Sequence, residues 1–240
     1  MSTSCTVCAR KHKDGRTSLH CAAATGQPAV LKLLLAEGAD VDAVDENGYT
    51  ALHVAAAHGH AAAVRELLEA SDADADDHDG NTPAWAALEA GHSSVAYLIL
   101  ESGDADVAAA CELGRSYLHG AARRNSVADT EWLLAHGASV TAKDQFSDTP
   151  LHAAAATGAW AVGVLLLEAG APANARGKVR AALSASLRRS ARTAQNACTP
   201  LHVAAMNPSG LPGRLRLVEL LLEKGADPAA LNKVCLPQHI

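Results

Sequence analysis

Cys5 and Cys8 form a C-x-x-C pair, with His12, His20 and Cys21 downstream. Thiolate sulfur and imidazole nitrogen are the ligands that hold zinc. A four-ligand finger needs a second close pair at a set spacing, and His20 with Cys21 does not supply it. Residues 1–11 are therefore read as an N-terminal arm with two free thiols, and no metal is assigned. Asp72, Asp74, Asp76, Asp77 and Asp79 before Gly80 suggest a calcium loop. Placing Gly80 at the obligatory sixth position puts Ala75 first and Ala86 twelfth, where carboxylates are required, so the match fails at both ends. The chain has no G-x-x-x-x-G-K-[ST], no G-x-G-x-x-G, no H-E-x-x-H and no G-x-S-x-G. No enzyme activity and no cofactor are expected.

The twelve histidines are ordered rather than clustered. His20, His53, His119, His152 and His202 each stand three residues after Thr17, Thr50, Ser116, Thr149 and Thr199, and Trp85 takes that place after Thr82. Successive starts are 33, 32, 34, 33 and 50 residues apart, which is the mark of a repeat array. Each start is a good N-cap, and Pro83, Pro150 and Pro200 follow at the first helical position, where a missing N–H costs nothing. Gly26, Gly59, Gly91 and Gly158, with Asn125 in repeat four, are placed to end a short Ala-rich helix in the left-handed conformation. A second, Leu-rich helix then runs to Gly38, Gly103, Gly137, Gly170 and Gly225. Ser71 replaces that glycine in repeat two, so a looser helix end is expected there. One such unit cannot bury its own apolar face, so neighbours must stack.

The motif T-P-L-H, then A-A-x-x-G-H, then V-x-x-L-L-L-x-x-G-A-D resembles the ankyrin repeat, in six copies over residues 12–232. The resemblance implies an all-α ankyrin-repeat solenoid of stacked helix-turn-helix units with β-turn tips, one elongated array with a continuous core. Repeats one to five occupy 12–176, and repeat six occupies 197–232 with an extended turn at 207–213 between its helices. Residues 233–240 are a cap or a truncated seventh repeat. In that family the motif His ties the turn to the helix, and partners bind a concave face of turn tips and first helices. Carried over, the tips are Arg16, Tyr49, Asn81, Arg115, Asp148 and Cys198. His58, Glu89, Arg123 and Arg124 fall on the free positions before the helix-ending residue. The implied function is a non-catalytic protein-interaction scaffold, with Arg115, Arg123 and Arg124 forming a positive pocket for an acidic segment. The alternatives are a structural fragment of a longer ankyrin-repeat protein, or a zinc-dependent assembly factor using Cys5 and Cys8. The family's asparagine hydroxylation slot holds Asn174, with Leu166 eight residues before it.

Composition fits this reading: 49% of residues are hydrophobic but only 3% aromatic, so Ala, Leu and Val must fill the core. A net charge of −6 and a pI near 6.0 give no reason to expect nucleic acid. No apolar run reaches the length of a membrane span, and the first residues lack a secretory signal. Six cysteines without framework spacing suit reduced thiols, hence a cytoplasmic or nuclear monomer. The segment 177–196 departs from the rest: Lys178, Arg180, Arg188, Arg189 and Arg192 bring five positive charges and no negative one. Val179, Leu183 and Leu187 would form one stripe on a helix, so a basic amphipathic recognition helix and a tolerated loop both fit. Ser190 and Thr193, beside arginines, are sites where phosphorylation would cancel charge.

Overall fold

The computed structural model describes residues 14–102, 105–111, 113–178, 198–206 and 212–230. Among these residues there are twelve helices in consecutive pairs: α1 (Ser18–Ala24) and α2 (Pro28–Ala36), α3 (Ala51–Ala57) and α4 (Ala61–Leu68), α5 (Pro83–Glu89) and α6 (Ser93–Leu100), α7 (Tyr117–Arg124) and α8 (Val127–Ala135), α9 (Pro150–Thr157) and α10 (Trp160–Glu168), α11 (Pro200–Met206) and α12 (Pro212–Glu223). The chain divides into two compact units, 1–112 and 113–240, with three helix pairs each. In the first unit α1 packs on α3 and α3 on α5, while α2 packs on α4 and α4 on α6. The second unit repeats the scheme, α7 on α9 on α11 and α8 on α10 on α12. The all-α repeat stack expected from the sequence is present within each unit.

The first helices begin where the sequence placed their caps. Thr17, Thr50, Ser116 and Thr149 sit extended at N-cap, and each forms a reciprocal capping box with the His three residues on. Pro83, Pro150 and Pro200 open their helices. Leu19, Leu52, Leu118 and Leu151 fill the same rung of their first helices, with Ala84 in that place on α5, and are buried, as are Leu31, Leu67, Ile99, Leu133 and Leu166 on the second helices. Each such Leu or Ile side chain contributes about 2 kcal/mol by leaving water. Ala23, Ala55, Ala87 and Ala122 are buried between them, small enough for the helices to approach closely.

Two expectations are corrected. The helix end at Ser71 is closed rather than loose, because the Ser71 hydroxyl donates to the Leu67 carbonyl at 2.8 Å. Pro212 and Gly213 belong to α12 and not to the extended turn, and α12 is 12 residues long for that reason. The remainder of that turn, 207–211, lies outside the described residues, as do Gly103, 1–13, 179–197 and 231–240.

Gly26 ends α1 at φ +63°, and a Cβ there would sit 2.6 Å from His60 Nδ1, the ring of the following repeat. Gly38 has φ +81° and nothing within 4 Å of the same point. Gly38→Ala therefore carries backbone strain alone, about 1 kcal/mol, whereas Gly26→Ala adds a collision with the neighbouring repeat. Denaturant unfolding of the two variants will place Gly26→Ala below Gly38→Ala by at least about 1 kcal/mol.

Candidate functional site

Five motif histidines share one geometry. His53 Nδ1 accepts from the Thr50 backbone N–H at 3.2 Å and from the Thr50 hydroxyl at 2.9 Å, while Nε2 donates to the Asn81 carbonyl at 2.9 Å. His20 bridges Thr17 to the Tyr49 carbonyl (2.8 Å), His119 bridges Ser116 to the Asp148 carbonyl (2.9 Å) and His152 bridges Thr149 to the Cys198 carbonyl (3.0 Å). His202 makes the same contacts to Thr199, at 3.2 and 2.8 Å. A backbone N–H can only donate, so Nδ1 must be bare and Nε2 must carry the hydrogen. The bridge therefore requires neutral imidazole. Burial pushes His53 and His119 below the usual histidine value and takes His152 to about 4, with acceptance by the carbonyl opposing it in each case.

The tips before α3, α5 and α9 are hairpins closed through an acid. Asp45 N–H donates to the Tyr49 carbonyl at 3.0 Å, and Asp45 Oδ1 accepts from the N–H groups of Asn47 (2.8 Å) and Tyr49 (3.1 Å). Asp77 with Asn81 and Asp144 with Asp148 repeat this exchange. Adjacent tips are joined by backbone bonds, Glu46 to Asp14 and His78 to Asn47 in the first unit, Gln145 to Leu113 and Lys178 to Phe146 in the second. Gly15, Gly48, Gly80 and Gly114 have positive φ at the tip, and Ser147 takes that conformation in repeat five at φ +60°.

The basic insertion starts and ends inside this geometry. Gly177 and Cys198 exchange backbone bonds of 2.9 and 2.7 Å as an isolated antiparallel bridge, at the positions where Asp45 and Tyr49 close an ordinary tip. The insertion thus replaces the outermost residues of the sixth tip, and its body, 179–197, lies outside the described residues.

The expected contact residues fall into three groups. His58 and Glu89 are exposed at the ends of α3 and α5, and Arg123 is exposed at the end of α7. Arg16, Tyr49, Asn81 and Arg115 are half-buried at the tips. Arg16 lies 3.6 Å from Asp14 and from the buried Asp45 of the next tip, and the Asn81 amide bonds Asp77 at 3.2 Å. Burial, then Asp77, Asp79 and Asp45, raises the Tyr49 phenol above its ordinary value. Asp148 is a correction: only 7% exposed, it packs where a side chain on Gly177 would have to stand, and its carbonyl receives the His119 bond. Cys198 is likewise buried. The three-arginine pocket is a second correction. Arg115 precedes α7 and Arg123 and Arg124 end it, about 12 Å apart along the axis, and Arg124 turns to the buried Asp129 at 3.2 Å.

Two features, Arg214 and the pair Trp160 and Leu215, were not singled out from the sequence, and the structure gives Asn174 a contact that its slot did not announce. Arg214 stands where repeats two and three carry the G-H histidine: it packs over Gly158 and donates to the Ala156 carbonyl at 3.2 Å, as His60 does to the Ala24 carbonyl at 3.1 Å. Counting six residues back from Leu220 would have found it. Asn174 clamps the next repeat, its amide donating to the Gly225 carbonyl (2.9 Å) and accepting from Asp227 N–H (2.8 Å). Trp160 and Leu215, large and exposed, lie on α10 and α12. Among the described residues no three His, Cys, Asp or Glu side chains converge to hold a metal ion, and no helix is long and apolar enough to cross a membrane. Cys5, Cys8 and His12 are outside the described residues.

Known proteins carry the same pattern. The family model for ankyrin repeats (3 copies) matches residues 4–77, 19–110, 62–144 and 118–232 in overlapping windows. The crystal structure of the ankyrin repeat domain of Bcl-3, a member of the IkappaB protein family, superposes with a TM-score of 0.71 at 28% identity, covering 90% of this chain and 86% of that one. A Caenorhabditis elegans homolog of transient receptor potential cation channel subfamily A member 1 is 30% identical over 146 residues, 61% of this chain and 9% of the relative. Protein phosphatase 1 regulatory subunit 12A of Mus musculus is 45% identical over 60 residues, 25% of this chain and 6% of the relative. The chain spans less than a tenth of the length of these two curated relatives.

Two outcomes follow from the geometry. Burial holds His53, His119 and His152 below the value of the unfolded chain, so these three are neutral when folded. Their stabilisation is complete above pH 6.5 and is lost as pH falls from there through the folded value, about 4 for His152. His152 alone accounts for on the order of 3 kcal/mol over that window, so the urea midpoint will be flat from pH 7 to 8 and fall steadily from about pH 6.5 to 4. Arg124→Ala strips the buried Asp129 of its cation and will cost about 3 kcal/mol, read by the same unfolding experiment at pH 7.

Proposed function

The chain belongs to the ankyrin-repeat family, and on that premise we propose that it is a non-catalytic scaffold that holds a protein partner on its turn tips and the adjoining ends of its first helices. One observation carries the reading. The inter-repeat bridge is received by a backbone carbonyl, and Tyr49, Asn81, Asp148 and Cys198 serve equally well as its owner. A phenol, an amide, a carboxylate and a thiol in one structural role mean that the bridge places no demand on the side chain. The part-exposed tip side chains Tyr49, Asn81 and Arg115 are then available for recognition, unlike the buried Asp148 and Cys198, and Tyr49 and Arg115 are of the types that anchor interfaces.

The partner segment that suits the second unit is acidic. Arg115 lies at its first tip, and the insertion emerges from its third tip with Arg180, Arg188, Arg189 and Arg192 between the two ends of the bridge. Arg123 extends this surface along α7, and His58 extends that of the first unit along α3. A cytoplasmic or nuclear site of action suits the unframed thiols, and the described Cys21 and Cys111 are free thiols.

Affinity capture from cell extract, read by mass spectrometry, tests this. The full chain is compared with the double variant Tyr49→Ala and Arg115→Glu, and with a chain whose 177–196 is replaced by a short Gly/Ser linker. Both altered chains are expected to keep a cooperative unfolding transition. The double variant will lose most partners, and the linker chain those with acidic segments. Partners retained undiminished by both would overturn the reading.

A further inference from the structure

The second helices of the second unit begin with a set of exposed apolar side chains that the repeat does not require. In register, Ser126 and Ala159 precede α8 and α10 while Arg214 takes that place inside the longer α12, and the next rung is held by Val127, Trp160 and Leu215. Those three are 37%, 39% and 66% exposed. In the first unit the same rung carries Pro28, Ala61 and Ser93, none of them large and exposed. The apolar rung therefore belongs to one unit and not to the fold.

Trp160 has a seat built for it. Gly213 of α12 presents bare backbone to the ring, since a Cβ there would lie 2.9 Å from Trp160 Cδ1. The Arg216 guanidinium stands 5.4 Å from the ring centroid as a cation–π partner. Neighbouring Arg214 holds α12 to the Ala156 carbonyl at 3.2 Å. The indole is thus held against the α12 backbone with the Arg216 cation over its ring, and it remains part-exposed. Packed helices stand about 10 Å apart, so the rungs recur at that interval. An α-helix repeats a side-chain direction every seven residues, about 10.5 Å.

We propose that Val127, Trp160 and Leu215 form a docking surface for an amphipathic helix that carries apolar side chains seven residues apart and a carboxylate facing Arg216. The geometry matches the partner's heptad to the pitch of the rungs, and the Arg216 cation selects an acidic flank. Glu219 and Glu223 on α12 and Glu131 on α8 face such a helix with the opposite sign and confine the favourable charge to the Arg216 side. This surface is separate from the tips: α9 carries the chain about 12 Å from its tip to its α10 turn. It stands independently of the tip reading.

The test uses the full chain and a labelled 15-residue peptide with Leu at positions 1, 8 and 15 among Glu and Ala, followed by anisotropy. Controls are a scramble of the same composition and a version with Lys for Glu. The heptad peptide is expected to bind with a dissociation constant below about 100 μM, and the scramble at least about tenfold more weakly. Trp160→Ala and, as a second variant on an exposed site, Val127→Glu will each weaken the heptad peptide about tenfold. Arg216→Glu will reverse the preference toward the Lys peptide, and Arg115→Glu at the tip will change nothing. Equal binding of heptad and scramble overturns the proposal, as does binding indifferent to Trp160→Ala. Displacement of the peptide by phosphatidylserine vesicles would assign the surface to a membrane instead, and recovery of affinity on deleting 231–240 to the chain's own C-terminus.

Discussion

A single neutral imidazole per repeat joins three things: the cap of a helix, the turn before it and the tip of the following repeat. The cap hydroxyl and cap N–H both point at Nδ1, and Nε2 reaches across to the next tip, 2.8–3.0 Å away in four repeats. Replacing the ring by Glu would keep the local half of a capping box. It would put a second acceptor, not a donor, opposite the carbonyl. Only an imidazole accepts on one side and donates on the other while neutral. Each repeat therefore completes a bond that its neighbour needs, and nearest-neighbour coupling of this kind makes a linear array cooperative. Trp85 interrupts the series. An indole has one N–H and no acceptor nitrogen, so repeat three keeps the cap bond from the Trp85 backbone N–H to the Thr82 hydroxyl without a two-ended ring. Repeat three is also the last of the first compact unit.

The same bridge explains why the chain tolerates a long insertion at the sixth tip. His152 and Cys198 are 46 residues apart in sequence yet bond at 3.0 Å, as partners 28 or 29 apart do elsewhere. Lengthening the tip from a pair of residues to 179–197 costs about 2 kcal/mol of closure entropy, because that cost grows only with the logarithm of length. The exchange between Gly177 and Cys198 and the bond from Lys178 to Phe146 stand at the base. At about 1 kcal/mol each, they offset the closure term. The insertion is therefore affordable at a tip, where both ends are already paired, and would not be inside a helix.

Caps, helix ends and the rung of buried leucines were legible because each is a local rule repeated at a fixed interval. Thr149-Pro150-Leu151-His152 states a cap, a first helical residue, a core residue and a bridge in four letters. The misread positions are those where a rule depends on a neighbour. Asp148 has a tip address, but its side chain is enclosed because the adjoining tip is the base of the insertion, with Gly177 against it. Arg115, Arg123 and Arg124 are close in sequence, yet a helix of eight residues separates the first from the others. Arg214 was hidden because the inserted turn before it shifts the register, and an arginine does not look like the histidine whose bond it makes. Ser147 sits at positive φ where other tips use glycine, a strain of about 1 kcal/mol that no residue-type pattern announces.

Charge gives the last constraint on partners, and the net value of −6 conceals it. Residues 1–112 hold six Lys and Arg against eighteen Asp and Glu, whereas 113–240 hold fourteen against eight. The sign changes at the boundary between the compact units, from −12 to +6. Screening at physiological salt reduces the reach of surface charge to about 8 Å, so a partner meets the local field and not the average. An acidic segment is repelled by the tips bearing Asp72, Asp74, Asp76 and Asp79. There burial, and after it the charges of Asp72, Asp106 and Asp76, raises Asp74 above its ordinary value. The same segment is attracted by the tips of the second unit. The proposed acidic partner therefore suits the second unit alone. Such steering acts on the association rate and fades as salt rises, so contacts at the second unit are distinguishable by their preference for an acidic partner.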